Sequence, residues 1–180
     1  MAKTILAIST SLRSHSNSEA LVDSFLAGAA AAGNRVEKIS LRGKELAFCR
    51  GCLACQRTQK CVIRDDAAEI IEKMYRADVL AFATPIYYYG VSGQMKTLLD
   101  RANPLFPSDY AFRDVYLLSS ATEDGADVPA RAEACLTGWV DCFEKAALRG
   151  TVFAGGVTGE GEINGHPALK EAYDMGTAIQ

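Results

Sequence analysis

Strand-like and helix-like patterns of apolar and polar residues follow one another along this chain. Residues 79–83, Val-Leu-Ala-Phe-Ala, include no polar position, which is typical of a strand buried on both faces at the centre of a parallel sheet. Other short segments predict four more strands, of which the second is the weakest. The predicted strands are residues 3–9, 35–41, 79–83, 115–121 and 151–157.

Amphipathic segments separate these strands, and their apolar residues recur at the three- and four-residue spacing of a buried helix face. The predicted helices are residues 18–32, a segment that opens at 65–66, a segment after Gly90, residues 129–148, and residue 167 to the end. Because strands and helices alternate without a break, we expect an α/β fold with five parallel strands, helices on both faces and right-handed crossovers. We predict a single domain over residues 1–180.

An aromatic loop follows the central strand. Thr84 and Pro85 are expected to end that strand, because proline has no N–H to donate and favours an extended conformation in the residue before it. Three tyrosines, residues 87–89, come next, and Gly90 is expected to let the backbone turn. Ligands of open α/β sheets bind outside the carboxyl ends of the strands. The tyrosines therefore predict a flat aromatic ligand at this edge.

Composition limits the function without defining it. Of the 180 residues, 49% are hydrophobic and 23% charged, and the net charge of -3 provides no general attraction for nucleic acid or an anionic membrane. The first ten residues become polar too early for a signal peptide, and no apolar run has the length of a membrane span. We therefore expect a cytoplasmic protein, in which thiols stay reduced.

The loop between the first strand and the first helix has the chemistry of an anion site. Residues 9–18, STSLRSHSNS, place hydroxyls, an amide and an arginine around a helix amino terminus, which favours a phosphate. No GxxxxGK[ST] or GxGxxG motif follows the strand, which disfavours ATP hydrolysis and a conventional dinucleotide site. Ser16 and Glu19 alone would also fit a helix-capping box. Because a phosphate in this loop and a flat ring at the tyrosines would suit one ligand, we favour a phosphate-binding loop over a simple capping box.

Both segments resemble motifs of one known family. TSLRSHSNS resembles the GS(L/P)RxxxNT/S motif, and TPIYYYGVSGQMKTLLDR resembles the TPxYxxxxsgxlKxxlDR motif, of the flavodoxin-like NAD(P)H-dependent FMN reductases. The resemblance covers about the whole chain. It implies a doubly wound sheet of strand order 2-1-3-4-5, non-covalently bound FMN, and a homodimer or homotetramer. Thr10 departs from the pattern, since the family usually has glycine there.

The resemblance also implies which residues bind FMN. The first loop would hold the phosphate, and the loops after the central and fourth strands would hold the two sides of the ring. The implied residues are Ser11, Arg13, Ser16, Asn17 and Ser18 for the phosphate, Pro85, Ile86, Tyr87, Tyr88 and Gly90 for the ring, and Ala121 and Thr122, beside Ser120, for its other side. Flavin chemistry of this kind requires no protein acid or base, so no catalytic residue is assigned.

Four of the six cysteines lie in a cysteine-rich insertion at 42–64. Cys49, Cys52 and Cys55 have the C-x2-C-x2-C spacing used in ferredoxins, whereas Cys61 is displaced and no proline follows it. The spacing resembles the motif of the iron-sulfur flavoproteins, a branch of the same fold that carries a 4Fe-4S cluster beside FMN. Free or redox-active thiols that line a substrate pocket are an alternative, and a zinc site is another.

These features predict an FMN-dependent oxidoreductase that takes hydride from NAD(P)H and passes electrons to a small-molecule acceptor such as a quinone or free flavin. The alternative is an iron-sulfur flavoprotein that relays single electrons from ferredoxin through FMN and a 4Fe-4S cluster. A flavin-binding redox sensor switched through its cysteines is a weaker third hypothesis. The insertion at 42–64 is the feature that separates the first two.

Overall fold

Five strands form one parallel sheet. The computed structural model describes residues 1–180, and its strands are β1 (Thr4–Ser9), β2 (Arg35–Ser40), β3 (Val79–Tyr87), β4 (Gly90–Val91), β5 (Asp114–Ser120) and β6 (Ala147–Ala154). The sheet order is β2-β1-β3-β5-β6, and β4 pairs only with β3, in the antiparallel direction. When the five parallel strands are numbered consecutively, leaving out β4, this is the predicted order 2-1-3-4-5. The predicted flavodoxin-like α/β fold is confirmed.

Six helices surround the sheet, and all but the short α2 cover its two faces. They are α1 (Asn17–Ala31), α2 (Ala54–Thr58), α3 (Ala67–Arg76), α4 (Gly93–Arg101), α5 (Ala130–Val140) and α6 (Pro167–Thr177), with one 3-10 turn at Asn103–Leu105. One buried cluster joins the sheet to α1 and α6, and a second joins it to α3, α4 and α5. Alternate residues of β1 enter opposite clusters, as both faces of a central strand require. None of the helices has the length and apolarity of a membrane span.

The sequence predicts that the central strand ends at Thr84 and Pro85, but in the structure it continues beyond them. β3 pairs with β1 only as far as Ala83, whereas its pairing with β5 continues to Pro85, opposite Ser120. Beyond Ala83 the β1 side of the strand has no parallel partner, so a residue without an N–H is accommodated there. The strand consequently continues to Tyr87.

Two tyrosines, and not Gly90, make the turn after β3. Tyr87 pairs with Gly90 in the β3–β4 ladder, so Tyr88 and Tyr89 are the central residues of a two-residue hairpin. Their φ angles are 49° and 64°, left-handed values that a type I′ turn requires and that residues other than glycine rarely adopt. A Cβ added to Gly90 would meet no atom closer than 3.7 Å. The prediction that Gly90 turns the chain is therefore wrong, because the turn is completed before it.

The helix predicted at 129–148 and the strand predicted at 151–157 are both displaced. α5 ends at Val140, and β6 begins at Ala147. Between them the Phe143 N–H donates to the Val140 carbonyl at 2.8 Å, and the Phe143 ring packs in a cluster of aromatic side chains. Because this turn also faces the core, its apolar residues have the spacing of a helix, and the sequence therefore predicts a helix that is too long.

Candidate functional site

The loops that follow β1, β3 and β5 meet at one edge of the sheet. These strands are parallel and adjacent, so the loops at their carboxyl ends open on the same side. A cavity, which we call the sheet-edge cavity, lies between these loops and the loop that follows β6. Its walls are Ser11, Arg13, Ser16, Asn17, Pro85, Ile86, Tyr87, Ser120, Ala121, Thr122, Val157, Thr158, Gly159 and Glu160.

Most of the residues that the sequence assigns to FMN line this cavity, but Ser18, Tyr88 and Gly90 do not. Ser18 is buried beneath the first loop, where its hydroxyl lies 3.1 Å from the hydroxyl of Ser16. Tyr88 is fully exposed at the tip of the hairpin, and Gly90 lies in β4. The structure thus brings the phosphate and ring segments together without placing these three residues in the wall.

The first loop carries buried donors that lack acceptors. The backbone N–H groups of Ser16, Asn17 and Ser18 have no hydrogen-bond acceptor in the chain, and all three residues are buried. Ser16 also caps α1, since its hydroxyl accepts the Glu19 N–H at 3.4 Å. Buried backbone donors are usually paired, and a helix amino terminus favours an anion. This donor set, with the Arg13 guanidinium beside it, fits a phosphate group.

The loop after β6 forms another wall of the site. Arg13 donates to the Thr158 carbonyl at 2.7 Å, and Asn17 donates to the Gly159 carbonyl at 2.9 Å. The side chains predicted to bind phosphate therefore also hold this loop against the cavity. Its sequence signal is the glycine-rich stretch at 155–161, which predicts a flexible turn after the last strand and near the ring.

Thr10, the departure from the family motif, ties the first loop to β3 and α4. Its N–H and its hydroxyl both donate to the Ala83 carbonyl at 2.9 Å, and its hydroxyl lies 2.9 Å from that of Ser92. Ser92 in turn caps α4 by accepting the Met95 N–H at 3.2 Å. Thr10 has no positive φ angle, so its backbone conformation does not require glycine. The threonine side chain instead connects the two loops.

The four cysteines of the insertion line a second cavity, which we call the cysteine cavity. Its walls are Cys49, Arg50, Gly51, Cys52, Leu53, Cys55, Cys61, Val62, Ile63, Asp100, Arg101 and Asn103. All four thiols are free. No three Cys, His, Asp or Glu side chains converge closely enough to bind a single metal ion, unlike the ligands of a tetrahedral zinc site. The chemistry of this donor set, four cysteines around one cavity, fits a cluster in which each cysteine binds a different iron.

Arg101 fixes both ends of this insertion. It is buried, and its Nη1 donates to Asp65 Oδ2 at 2.5 Å while its Nη2 donates to Asp65 Oδ1 at 2.8 Å. Nη1 also donates to the Ala47 carbonyl at 2.7 Å, on the other side of the cysteines. The hydrogen bond from Arg101 lowers the pKa of the Asp65 carboxyl, and the same bond raises the pKa of Arg101. Both groups stay charged at neutral pH.

A doubly wound sheet with an anion-type loop and an aromatic loop at one edge defines the flavodoxin-like class of flavin-binding folds. The chain belongs to the NADPH-dependent FMN reductase family, whose family model matches residues 4–157. The family predicted from the two motifs is thereby confirmed, and this family is one of FMN-dependent oxidoreductases.

Similar proteins extend this comparison to the cysteines. Over 101 residues the chain is 44% identical to an iron-sulfur flavoprotein of Methanocaldococcus jannaschii, a match that covers 56% of this chain and 52%, about half, of that protein. Over 176 residues it is 29% identical to an iron-sulfur flavoprotein of Methanosarcina thermophila, which covers 98% of this chain and 90% of that protein. The predicted resemblance to the iron-sulfur flavoprotein branch is confirmed.

Among solved structures, an NAD(P)H:quinone oxidoreductase from Methanothermobacter marburgensis superposes with a TM-score of 0.76. The superposition covers 98% of this chain and 96% of that one, at 18% sequence identity. At that identity the likeness shows a common fold.

Proposed function

We propose that this protein is an FMN-dependent oxidoreductase that takes electrons from NAD(P)H and passes them to a small-molecule acceptor such as a quinone or free flavin. The observation that carries the proposal is the sheet-edge cavity, where an anion-type loop and an aromatic loop meet. The family to which the chain belongs supports the same chemistry.

In this proposal the residues of the sheet-edge cavity have distinct roles. The backbone N–H groups of Ser16, Asn17 and Ser18 bind the phosphate, and Arg13 offsets part of its charge. Residues 85–87 and 120–122 lie along the two sides of the ring. FMN, when bound, supplies the hydride and electron-transfer chemistry. The protein binds and orients it, and no side chain moves a proton.

The test is reconstitution of the purified protein with FMN, followed by steady-state turnover of NADH or NADPH with a quinone or free flavin. Arg13→Ala should weaken FMN binding about tenfold or more, because it removes a charge-assisted contact. Arg35→Ala is the matched control, since Arg35 begins β2 at the far end of the sheet. Absence of turnover with any acceptor would contradict the oxidoreductase, and equal affinities in the two variants would contradict the phosphate site.

As the alternative function, we propose a 4Fe-4S cluster in the cysteine cavity, with which the protein relays single electrons from ferredoxin instead of oxidising NAD(P)H directly. The supporting observation is that all four cysteines of the insertion line one cavity. The two relatives named iron-sulfur flavoproteins favour the same cofactor. Such a cluster supplies one-electron transfer, while the cavity walls hold it and limit the access of water.

Anaerobic purification with iron and sulfide assays tests this second proposal. We expect about four irons per chain and broad visible absorption besides the flavin bands. Cys52→Ser should lose most of the iron, whereas Cys142→Ser should retain it, because Cys142 lies outside the cysteine cavity and is exposed. Anaerobic protein without iron and sulfide would leave the cysteines as pocket or redox thiols.

A homodimer or homotetramer is the assembly that we propose. Phe48, Leu53 and Val62 are exposed around the cysteine cavity, at 80%, 55% and 60%, and provide an apolar surface that a second copy would bury. Light scattering coupled to size-exclusion chromatography measures the assembly directly, and a monomer at micromolar concentration would contradict it.

A further inference from the structure

One side chain from outside the insertion donates a hydrogen bond to a cysteine sulfur. Asn103 Nδ2 lies 3.1 Å from the Sγ atom of Cys55. Cys55 is the one buried cysteine of the chain, with 8% of its surface exposed. Asn103 lies in the 3-10 turn that follows α4, and it lines the cysteine cavity. The donor is therefore held by the folded scaffold and not by the cysteine loop itself.

A second donor belongs to the same short segment. The buried Nε–H of Arg101 has no hydrogen-bond acceptor, and Arg101 lines the cysteine cavity two residues before Asn103. The end of α4 thus presents an amide donor to Cys55 and a positive charge to the wall of the cysteine cavity.

We propose that Asn103 is a positioning and tuning residue of the cluster, which raises its reduction potential by donating a hydrogen bond to the Cys55 sulfur. This inference rests on the proposed cluster. Reduction by one electron adds negative charge that the ligand sulfurs share, so a donor on a sulfur stabilises the reduced form more than the oxidised form. Burial of Cys55 strengthens the effect, because little water competes for the sulfur.

The experiment is a spectroelectrochemical titration of the anaerobic holoprotein, in which the electrode supplies the electron. Asn103→Leu keeps the approximate size of the side chain and removes its donors, so its cluster potential should be more negative than that of the wild type. Asn103→Asp replaces the donor with a negative charge and should shift the potential further in the same direction. Gln59→Met is the control, because the Gln59 amide in the same insertion donates to the Pro107 carbonyl and not to sulfur. Its potential should match that of the wild type.

The outcomes separate this inference from the proposal on which it depends. Wild-type protein without iron and sulfide would refute both the cluster and its tuning. A cluster whose potential is the same in the wild type, Asn103→Leu and Gln59→Met would refute the tuning alone. If the Asn103 variants fail to hold iron, a measurement on the wild-type protein tests whether Asn103 contacts the cluster. Pulsed electron paramagnetic resonance of reduced protein with 15N in the asparagine side chains should show 15N coupling, and its absence would overturn the inference.

Discussion

Arg101 is the one charged residue of the chain that is buried in the core. Its side chain is 0% exposed, and that of its partner Asp65 is 9% exposed. Desolvation of such a pair is costly, so the pair itself adds little net stability, but loss of one partner leaves the other charge uncompensated. The exposed pair of Lys96 and Asp100, with side chains 54% and 48% exposed, has no such cost.

The first prediction follows from this difference. Arg101→Ala should lower the free energy of unfolding by about 3–5 kcal/mol, because Asp65 stays buried without its partner. Lys96→Ala should lower it by only about 0.3–0.5 kcal/mol, as for other exposed helix pairs. Urea unfolding monitored by circular dichroism measures both values. Similar losses in the two variants would mean that solvent reaches the Arg101 site.

The second prediction concerns acid. Arg101 holds the pKa of Asp65 below its value of about 3.9 in the unfolded chain, so this carboxylate stabilises the fold above that pH. The stabilisation is lost as the pH falls through the folded-state pKa. The difference in unfolding free energy between the wild type and Asp65→Asn should therefore be constant from neutral pH to about pH 5 and shrink below about pH 4. A difference that grew on acidification would contradict the sign.

The sequence did not predict the roles of residues whose partners lie far away along the chain. Thr10 was recognisable as a departure from a motif, but its partners Ala83 and Ser92 lie 73 and 82 residues further along the chain. Arg101 matched a family motif as well, yet its partner Asp65 precedes it by 36 residues, across α3 and the β3–β4 hairpin. Local patterns identify such positions, and only the assembled fold shows what they bind.

At the scale of elements, the β3–β4 hairpin is unusual for its turn residues. Type I′ turns favour Asn and Gly because both central residues have positive φ angles, and here both residues are tyrosines. The Tyr89 hydroxyl donates to Glu123 at 2.8 Å, and the Arg131 guanidinium lies 5.3 Å from the centre of the Tyr89 ring. These contacts hold one side of the hairpin, whereas Tyr88 is fully exposed.

The third prediction isolates the backbone strain at Tyr88. Alanine and glycine both remove an exposed ring, but only glycine adopts a positive φ without steric cost, which amounts to about 1–2 kcal/mol for other residues. Glycine also loses more chain entropy on folding, which reduces this advantage. Tyr88→Gly should therefore be more stable than Tyr88→Ala by up to about 1 kcal/mol. At Tyr173, in α6, the order should be reversed, because alanine favours a helix. Thermal unfolding of the four variants checks this, and a more stable alanine at position 88 would show that the hairpin relaxes.

Periodicity predicted which elements exist, and tertiary contacts decided where they end. The five parallel strands were all predicted from the sequence, but the extension of β3 through Pro85 depends on where its pairing with β1 stops. The end of α5 likewise depends on Phe143 joining an aromatic cluster. Inside the insertion, α2 is only five residues long, too short to produce a helical pattern.

At the scale of the whole molecule, the sheet-edge cavity combines loops that are far apart in the chain. Three of them were predictable, because their residue types are distinctive and the carboxyl ends of parallel strands share an edge. The fourth, at 157–160, was predictable only as a glycine-rich turn near the ring, because the backbone carbonyls that it offers to Arg13 and Asn17 leave no sequence signal. We expect its position to depend on α6, which follows it and packs on α1.

The fourth prediction tests that dependence through two glycines. A Cβ on Gly28 of α1 would lie 2.0 Å from the Tyr173 carbonyl oxygen of α6, whereas a Cβ on Gly138 of α5 would meet no atom within 4 Å. Gly28→Ala must separate the helices, at a typical overpacking cost of about 1–3 kcal/mol or more. That cost exceeds the gain in helix propensity of about 1 kcal/mol, so Gly28→Ala should be destabilised. Gly138→Ala has the gain without the cost and should be stabilised by about 1 kcal/mol.

Since α6 positions the loop against Arg13 and Asn17, Gly28→Ala should also weaken FMN binding, and Gly138→Ala should leave it unchanged. Fluorescence titration with FMN, carried out at a temperature where both variants are folded, measures this effect separately from stability. Reduced stability with unaltered FMN affinity would mean that the loop holds its place through its own contacts with the first loop, such as the 3.2 Å hydrogen bond from the Ile163 N–H to Asn17 Oδ1. Weakened binding would instead show that packing of two helices on one face of the sheet controls the cavity at its edge.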